Sequence, residues 1–435
     1  MIKQENISKL KIAFLAFIAC LYFFSISYSN EFSDFDLQRL SYVDSLTNKL
    51  IKEKKITGAS IQIQTKNNII YDKKIGFGDV NKKVILNDST IFRIYSMTKP
   101  ITSVAAMILL ERGLIKLDDP ICQYLPEFSE MKKIKVINIP FFKHLFHFTR
   151  KVDNEITIFH LLTHTSGMYY DFSSRYGSVY KKFIKGSEKK INSLDDFSKQ
   201  ASKLPLLFEP GFDFNYGIST DILGRIVEVV SGKDLASFLK DEIFTPLEMN
   251  STSFNFDNDI KDLLTVYENL NDKIVPYSIL NISPIANYPL GGAGLFSTLS
   301  DYSNFCTMLQ NRGSFKNKSI ISKNSIELMT KNHLKNLNGE NAKRISRRLP
   351  IVLIEGHYET TFPMDGFGLG FYINESLSDQ KTIASKNRYG WMGAANTFFF
   401  IDKENDFFTI IMSQSKMDFS ILNDYENVIY QAIKN

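Results

Sequence analysis

The sequence predicts an α/β protein whose sheet-bearing part is built from both ends of the chain around an inserted, mainly helical middle. Three observations predict it. Near the start, SIQIQTKNNIIYDKK alternates Ile61 and Ile63 with Gln, turns at Lys66-Asn67-Asn68 and resumes at Ile69 to Tyr71, a hairpin signal. Near the end, TFFFID (397–402), the turn KEND and FFTIIMSQ (407–414) give a second hairpin. Between them, residues 100–112, 157–166, 194–203 and 219–248 read mainly as helices.

Taken in order, residues 1–29 stand apart. A Lys-rich start, MIKQENISKLK, precedes the apolar run IAFLAFIACLYFFSISYS, and Ser27-Tyr28-Ser29 offers small residues for cleavage, the pattern of a secretory signal peptide. The alternative is an uncleaved anchor over residues 12–28, because the run nearly reaches spanning length. Cys20, following Phe17-Ile18-Ala19, is a poor lipidation site. The expected location is therefore outside the cytoplasm, periplasmic or secreted.

Residues 32–55 place Phe35, Leu37, Leu40, Val43, Leu46 and Leu50 at helical spacing, and the chain closes on a helix marked by Ile421, Tyr425, Val428, Ile429 and Ala432. These elements assign 30–120 and 285–435 to the α/β domain and 121–284 to the helical one. Residues 131–155 are basic and aromatic, and 334–350 are polar and basic; both read as surface excursions, the first as a solvated loop or lid rather than a membrane contact. GFGLGFYI (366–373) reads as a strand with a close backbone approach.

The chain has 435 residues, 44% hydrophobic and 13% aromatic, enough for a large core in one big or two intimate domains. Net charge is +5, but Lys and Arg are spread without an aromatic-interleaved basic stripe, so nucleic acid is not an expected partner. Beyond the leader only Cys122 and Cys306 remain, too few for a disulfide framework.

The chemistry starts at RIYSMTKP (93–100), which sets Ser96 three residues before Lys99 at the head of an apolar helix. A serine hydroxyl needs a neighbouring base to act as a nucleophile, and residues three apart share a helix face. The same spacing also fits a capping serine followed by a solvated lysine. Other stretches bear on the choice: LDDPICQYLPEF (117–128), ITIFHLLTHTSG (156–167), the FNYG around Tyr216, PLGGAGLF (289–296) and YGWMGAANTFFFID (389–402). His160 and His164 lie four apart, without H-E-x-x-H or a third ligand, and read as structural. The glycines of LGGAGLF match no phosphate-binding pattern and read as a tight turn, and no G-x-S-x-G elbow is present.

In this order and spacing the chain resembles the serine β-lactamase-like superfamily, closest to its class C branch with the esterase and D-aminopeptidase-like relatives, over roughly residues 40–430. The resemblance implies an antiparallel sheet flanked by helices plus an all-α domain, the β-lactamase/transpeptidase arrangement, with the cleft between them. It implies that Ser96 acylates, that Lys99 lowers the proton affinity of its neighbours, and that Tyr216 takes the serine proton and returns it to the leaving group. It implies an oxyanion hole from the N–H groups of Ser96 and Ala394, and no metal or cofactor. Two positions depart from the pattern. The usual Asn two residues after the tyrosine is Ile218, with Ser219 next as a candidate substitute in the substrate cleft. The usual K-T-G is Trp391-Met392-Gly393, which would line the cleft with an apolar platform and favours a neutral small-molecule ester or amide over a carboxylate-bearing β-lactam. The resulting reading is an exported, esterase-type serine hydrolase. The alternatives are a β-lactamase or D-Ala-type peptidase acting on cell-wall peptides, and a non-catalytic family member.

Overall fold

The two terminal hairpins fuse into one sheet because each has an edge that pairs the other. Strand Gly58–Thr65 runs antiparallel to Phe407–Met412, with Ile61 opposite Ile411 and Ile63 opposite Thr409. Among the described residues the sheet has eight strands, in the order 366–367, 372–374, 388–393, 397–402, 407–412, 58–65, 69–79 and 84–85, all paired antiparallel. The computed structural model describes residues 35–66, 68–137, 146–170, 191–254, 263–280, 288–336, 350–351, 360–361, 366–375 and 382–434. The leader at 1–29, with its cleavage site and Cys20, and most of the 334–350 excursion lie outside these residues.

Helices Leu37–Lys52 and Phe419–Tyr430 cover one face of the sheet. Leu40, Val43 and Leu50 are buried there, Thr47 Oγ1 lies 2.9 Å from the Tyr425 hydroxyl, and the Tyr71 hydroxyl donates to Asp44. Alternation along the strand sends Gln62 and Gln64 to the other face, where an exposed row would be expected. That row is covered instead: helix Leu299–Gln310 packs on it, and Gln64 donates to Thr307 Oγ1 at 3.2 Å. A sheet covered on both faces buries its polar positions as well as its apolar ones, so Gln62 is 4% exposed.

The middle of the chain packs around helix Thr98–Glu111, in which Ile101, Val104, Ala105, Ala106, Met107, Ile108 and Leu109 are all buried. A helix apolar on every side belongs at the centre of a large protein. It lies against helices Ser219–Ser231 and Leu235–Leu239, which bury Ile222, Leu223, Ile226, Leu235 and Leu239. The middle also contains strands. Residues 132–137 and 146–151, within the stretch expected to be a loop, pair as a hairpin with Lys133 opposite Arg150, and 267–270 pairs with 273–276. Glu209 secures the first hairpin, accepting from Lys133 Nζ and from the N–H groups of Asp153 and Asn154. GFGLGFYI is two short strands, 366–367 and 372–374, rather than one, because Gly370 at φ +93° turns the chain between them.

Candidate active site

Ser96 lies in a single 3₁₀ turn, Tyr95–Met97, that runs into helix Thr98–Glu111. Lys99 follows three residues on, in the first turn of that helix, which brings its amine to the same side as Ser96. The turn is entered through Tyr95 at φ +41°, unusual for an aromatic residue. Three elements hold it: the Tyr95 hydroxyl donates to the Leu280 carbonyl, the Tyr302 hydroxyl donates to the Met97 carbonyl at 2.9 Å, and the Leu295 N–H donates to Thr98 Oγ1 at 3.1 Å. The serine does not cap the helix. The N-cap is Met97, no side chain caps it, and Ser96 Oγ faces Tyr216 and Lys99 instead.

Tyr216 OH donates to Ser96 Oγ at 2.6 Å, and Lys99 Nζ lies 3.1 Å from the same oxygen. Lys99 is 1% exposed and has two further acceptors, the Tyr170 hydroxyl at 2.8 Å and the Gly292 carbonyl at 2.7 Å. Its Nζ also sits 4.6 Å from the centre of the Tyr216 ring. Sequence reasoning brought Ser96, Lys99 and Tyr216 to one site and missed Tyr170 and Gly292. Tyr170 closes the run HTSGMYY, so its place after the HLLTHTSG landmark was the available signal. A main-chain carbonyl leaves no trace in residue identity, and only the two adjacent glycines hinted at an unusual backbone approach.

Burial dominates the electrostatics. It pushes the Lys99 amine down to about 7, against the pull of the Asp221 carboxylate, which favours the ammonium. It raises the Tyr216 phenol despite hydrogen bonding with Ser96, Trp391 and Tyr170, which favours its ionised form. The Tyr170 phenol is raised and the His164 imidazole lowered, each first by burial, so both stay neutral. The structure thus reverses one expected emphasis: the lysine, not the tyrosine, is the group whose proton affinity falls into the neutral range.

The remaining sequence-predicted residues fall as follows. Ser219 does not line the cleft. It opens helix Ser219–Ser231 with no exposed surface, and its Oγ pairs with Ser166 Oγ at 2.9 Å, because the first turn of this helix faces the HTSG loop. It therefore does not replace the missing amide. Ile218 is the uncapped N-cap of that helix and packs on the core. The amide of Asn215, next to Tyr216, donates to the Met168 carbonyl at 2.9 Å and braces the Tyr216 loop. Trp391 is not an open platform: it is 1% exposed, and its ring packs 5.5 Å from Tyr216 and edge-on to Phe367 at 5.3 Å. The reason is the sheet, since strand Arg388–Gly393 is interior and buried along its whole length. His160 and His164 have separate structural duties: His160 Nδ1 accepts from the Thr157 N–H, and His164, at φ +54°, packs its ring 5.0 Å from Tyr216.

Gly393 ends that strand against the nucleophile loop. A Cβ there would lie 2.3 Å from the Ile94 carbonyl oxygen and 2.4 Å from Thr397 Oγ1, both fixed by the sheet and the turn. Ala394 follows, half-buried beside Tyr95. Gly393→Ala must therefore move the strand from the turn, at an overpacking cost of about 1–3 kcal/mol. Chemical denaturation should show the lowered midpoint, and covalent labelling of Ser96 should slow with it; unchanged values for both would show that this contact does not set the geometry.

An antiparallel sheet covered on both faces, with a serine and a buried lysine at the head of a central helix, is the architecture of the serine hydrolases and acyltransferases of the β-lactamase fold. The chain belongs to the Beta-lactamase family, whose sequence model matches residues 43–428. An uncharacterized protein of Mycobacterium tuberculosis (strain CDC 1551 / Oshkosh) is 26% identical over 375 residues, 84% of this chain and 88% of that one. Esterase EstB of Burkholderia gladioli is 30% identical over 217 residues, 49% of this chain and 50% of the esterase. The solved structure of EstCE1, described as a hydrolase with promiscuous acyltransferase activity, superposes with a TM-score of 0.72 at 23% identity, covering 91% of this chain and 99% of that one.

Proposed function

We propose that this protein is an exported serine hydrolase of esterase type that works through an acyl-enzyme on Ser96. One observation carries the reading: Ser96 Oγ is shared between the Tyr216 hydroxyl at 2.6 Å and a buried Lys99 amine at 3.1 Å. A hydroxyl so placed has a route for its proton as it attacks a carbonyl. With the Lys99 amine down at about 7 and the Tyr216 phenol raised, the competent form near neutrality holds Tyr216 as phenol and Lys99 as free amine. In the proposed scheme Ser96 Oγ bonds to the carbonyl carbon and its proton passes to Lys99, directly or by way of Tyr216. The developing oxyanion is met by the N–H groups of Ser96 and Ala394, a pairing supported by the tight approach of Gly393 to Ile94. Collapse expels the leaving group, which takes that proton back. A water then attacks the acyl-enzyme by the same route, and the acid leaves with Ser96 restored.

The neutral surroundings favour an uncharged ester or amide. The third motif carries Trp391 where a cation would hold a substrate carboxylate, and the tryptophan is turned to packing. The half-length match to an esterase supports the same choice, and the EstCE1 likeness makes an alcohol acceptor in place of water a natural extension. Export rests on the leader sequence at 1–29, and the mass of the mature chain tests it.

Short p-nitrophenyl esters and nitrocefin, assayed on the same preparation with a fluorophosphonate probe and peptide mapping, test the function. The expected result is a single adduct on Ser96 and ester turnover well above nitrocefin turnover. A folded protein with no adduct would remove the hydrolase reading.

The pH dependence follows from the sign of the lysine shift. The amine must be unprotonated to receive the serine proton, so acylation should fall about tenfold per pH unit below about 7 and level off above it. Labelling rates between pH 5 and 9 read this directly, and a flat profile would remove Lys99 from the proton path.

A further inference from the structure

We infer that Asp221 is a positioning residue of this reaction: through the Gly292 main chain it holds the Lys99 side chain against Ser96, and it faces that side chain with a buried carboxyl group. The inference rests on the acyl-enzyme reading above and assigns a role to a residue outside its motifs.

Asp221 stands in the first turn of helix Ser219–Ser231 and is 3% exposed. An acid in that turn ordinarily serves its own helix end from solvent. This one reaches across to another segment, where its Oδ1 accepts the Gly292 N–H at 2.8 Å. The carbonyl of the same Gly292 accepts from Lys99 Nζ at 2.7 Å. One residue therefore has its donor fixed by the carboxylate and its acceptor fixed on the amine. The turn has no slack. A Cβ on Gly292 would lie 2.7 Å from Asp221 Oδ2, and one on Gly291 would lie 2.8 Å from the Thr220 carbonyl. On its other side Thr102 Oγ1 donates to the Gly291 carbonyl at 2.8 Å, which ties the turn to the nucleophile helix.

The charge balance points the same way. The groups facing Lys99 are Tyr170 and His164 from the HTSG loop and Tyr216 and Asp221 from the segment entering helix Ser219–Ser231. The tyrosines and the histidine are held neutral; burial raises the Asp221 carboxyl too, opposed by Lys99 and by the Gly292 N–H, and Asp221 is the one acid among these groups. A buried carboxylate is costly without a cation, and a buried amine accepts a proton more readily opposite a carboxylate. When Lys99 takes the Ser96 proton it becomes an ammonium in a dry pocket, and Asp221 is placed to stabilise that charge as it forms.

The test compares Asp221→Asn with the wild-type chain. The amide keeps the size and an acceptor for the Gly292 N–H and removes only the charge. Without the carboxylate Lys99 loses its proton more easily and is a weaker base. The acidic limb of fluorophosphonate labelling at Ser96 should therefore move to lower pH by about one unit, and the plateau rate should fall about tenfold or more. A folded variant with the wild-type limb and plateau overturns the inference. A wild-type protein that does not label at all overturns the acyl-enzyme reading instead. Should Asp221→Asn fail to fold, circular dichroism of wild type, Lys99→Met and the double variant decides. Recovery of folding in the double variant shows that the carboxylate answers to Lys99, whereas equal loss with and without Lys99 makes it a structural residue only.

Discussion

Replacing Ser96 by Ala is expected to abolish covalent labelling and ester turnover, a loss of at least roughly 1,000-fold, while the protein stays folded. The loss follows from chemistry that no neighbour can supply. Tyr216 and Lys99 both converge on this one oxygen, and neither offers a second nucleophile aimed at the same point. The fold should tolerate the change because Lys99 keeps its bonds to Tyr170 and Gly292, and the turn keeps its anchors at Met97 and Thr98. The tyrosine hydroxyl loses one partner, worth about 1 kcal/mol. Circular dichroism melting beside a p-nitrophenyl ester assay separates the two effects. Wild-type turnover in a folded Ser96→Ala protein would sink the mechanism.

Replacing Tyr216 by Phe should slow acylation roughly 100- to 10,000-fold with little change in KM. The ring is retained, and with it the packing on His164 at 5.0 Å and Trp391 at 5.5 Å. Only the hydroxyl that touches Ser96 at 2.6 Å is removed. By the Tyr216 route of the proposed scheme that hydroxyl relays the proton between serine, lysine and leaving group, so its loss should appear in kcat and in burst-phase acylation. A rate within tenfold of wild type would mean that Lys99 exchanges the proton with Ser96 unaided.

The two predictions draw on residues with different visibility. Ser96 and Lys99 are legible because their relation is local, three residues on one turn. Tyr216 is 120 residues away and is legible only through FNYG and its neighbours in order. Tyr170 and Asp221 were not singled out, since each resembles many other tyrosines and aspartates until the chain is folded. Ser219 and Trp391 were misplaced for one reason: position in a motif fixes where a residue lies along the chain, and packing decides which way its side chain turns.

Taken alone, the sequence determined the periodicities that make the terminal hairpins and the central apolar helix, and the spacing that sets a lysine beside a serine. These are short-range consequences of backbone geometry and side-chain type. The tertiary structure decided the rest. It covered the polar face of strand Gly58–Thr65 with helix Leu299–Gln310, packed Trp391 against Tyr216, and set the Gly292 carbonyl on a lysine whose proton affinity depends on being dry. Burial, register between distant strands and the dielectric around a charge belong to no single residue and arise only when segments far apart in the chain are packed together.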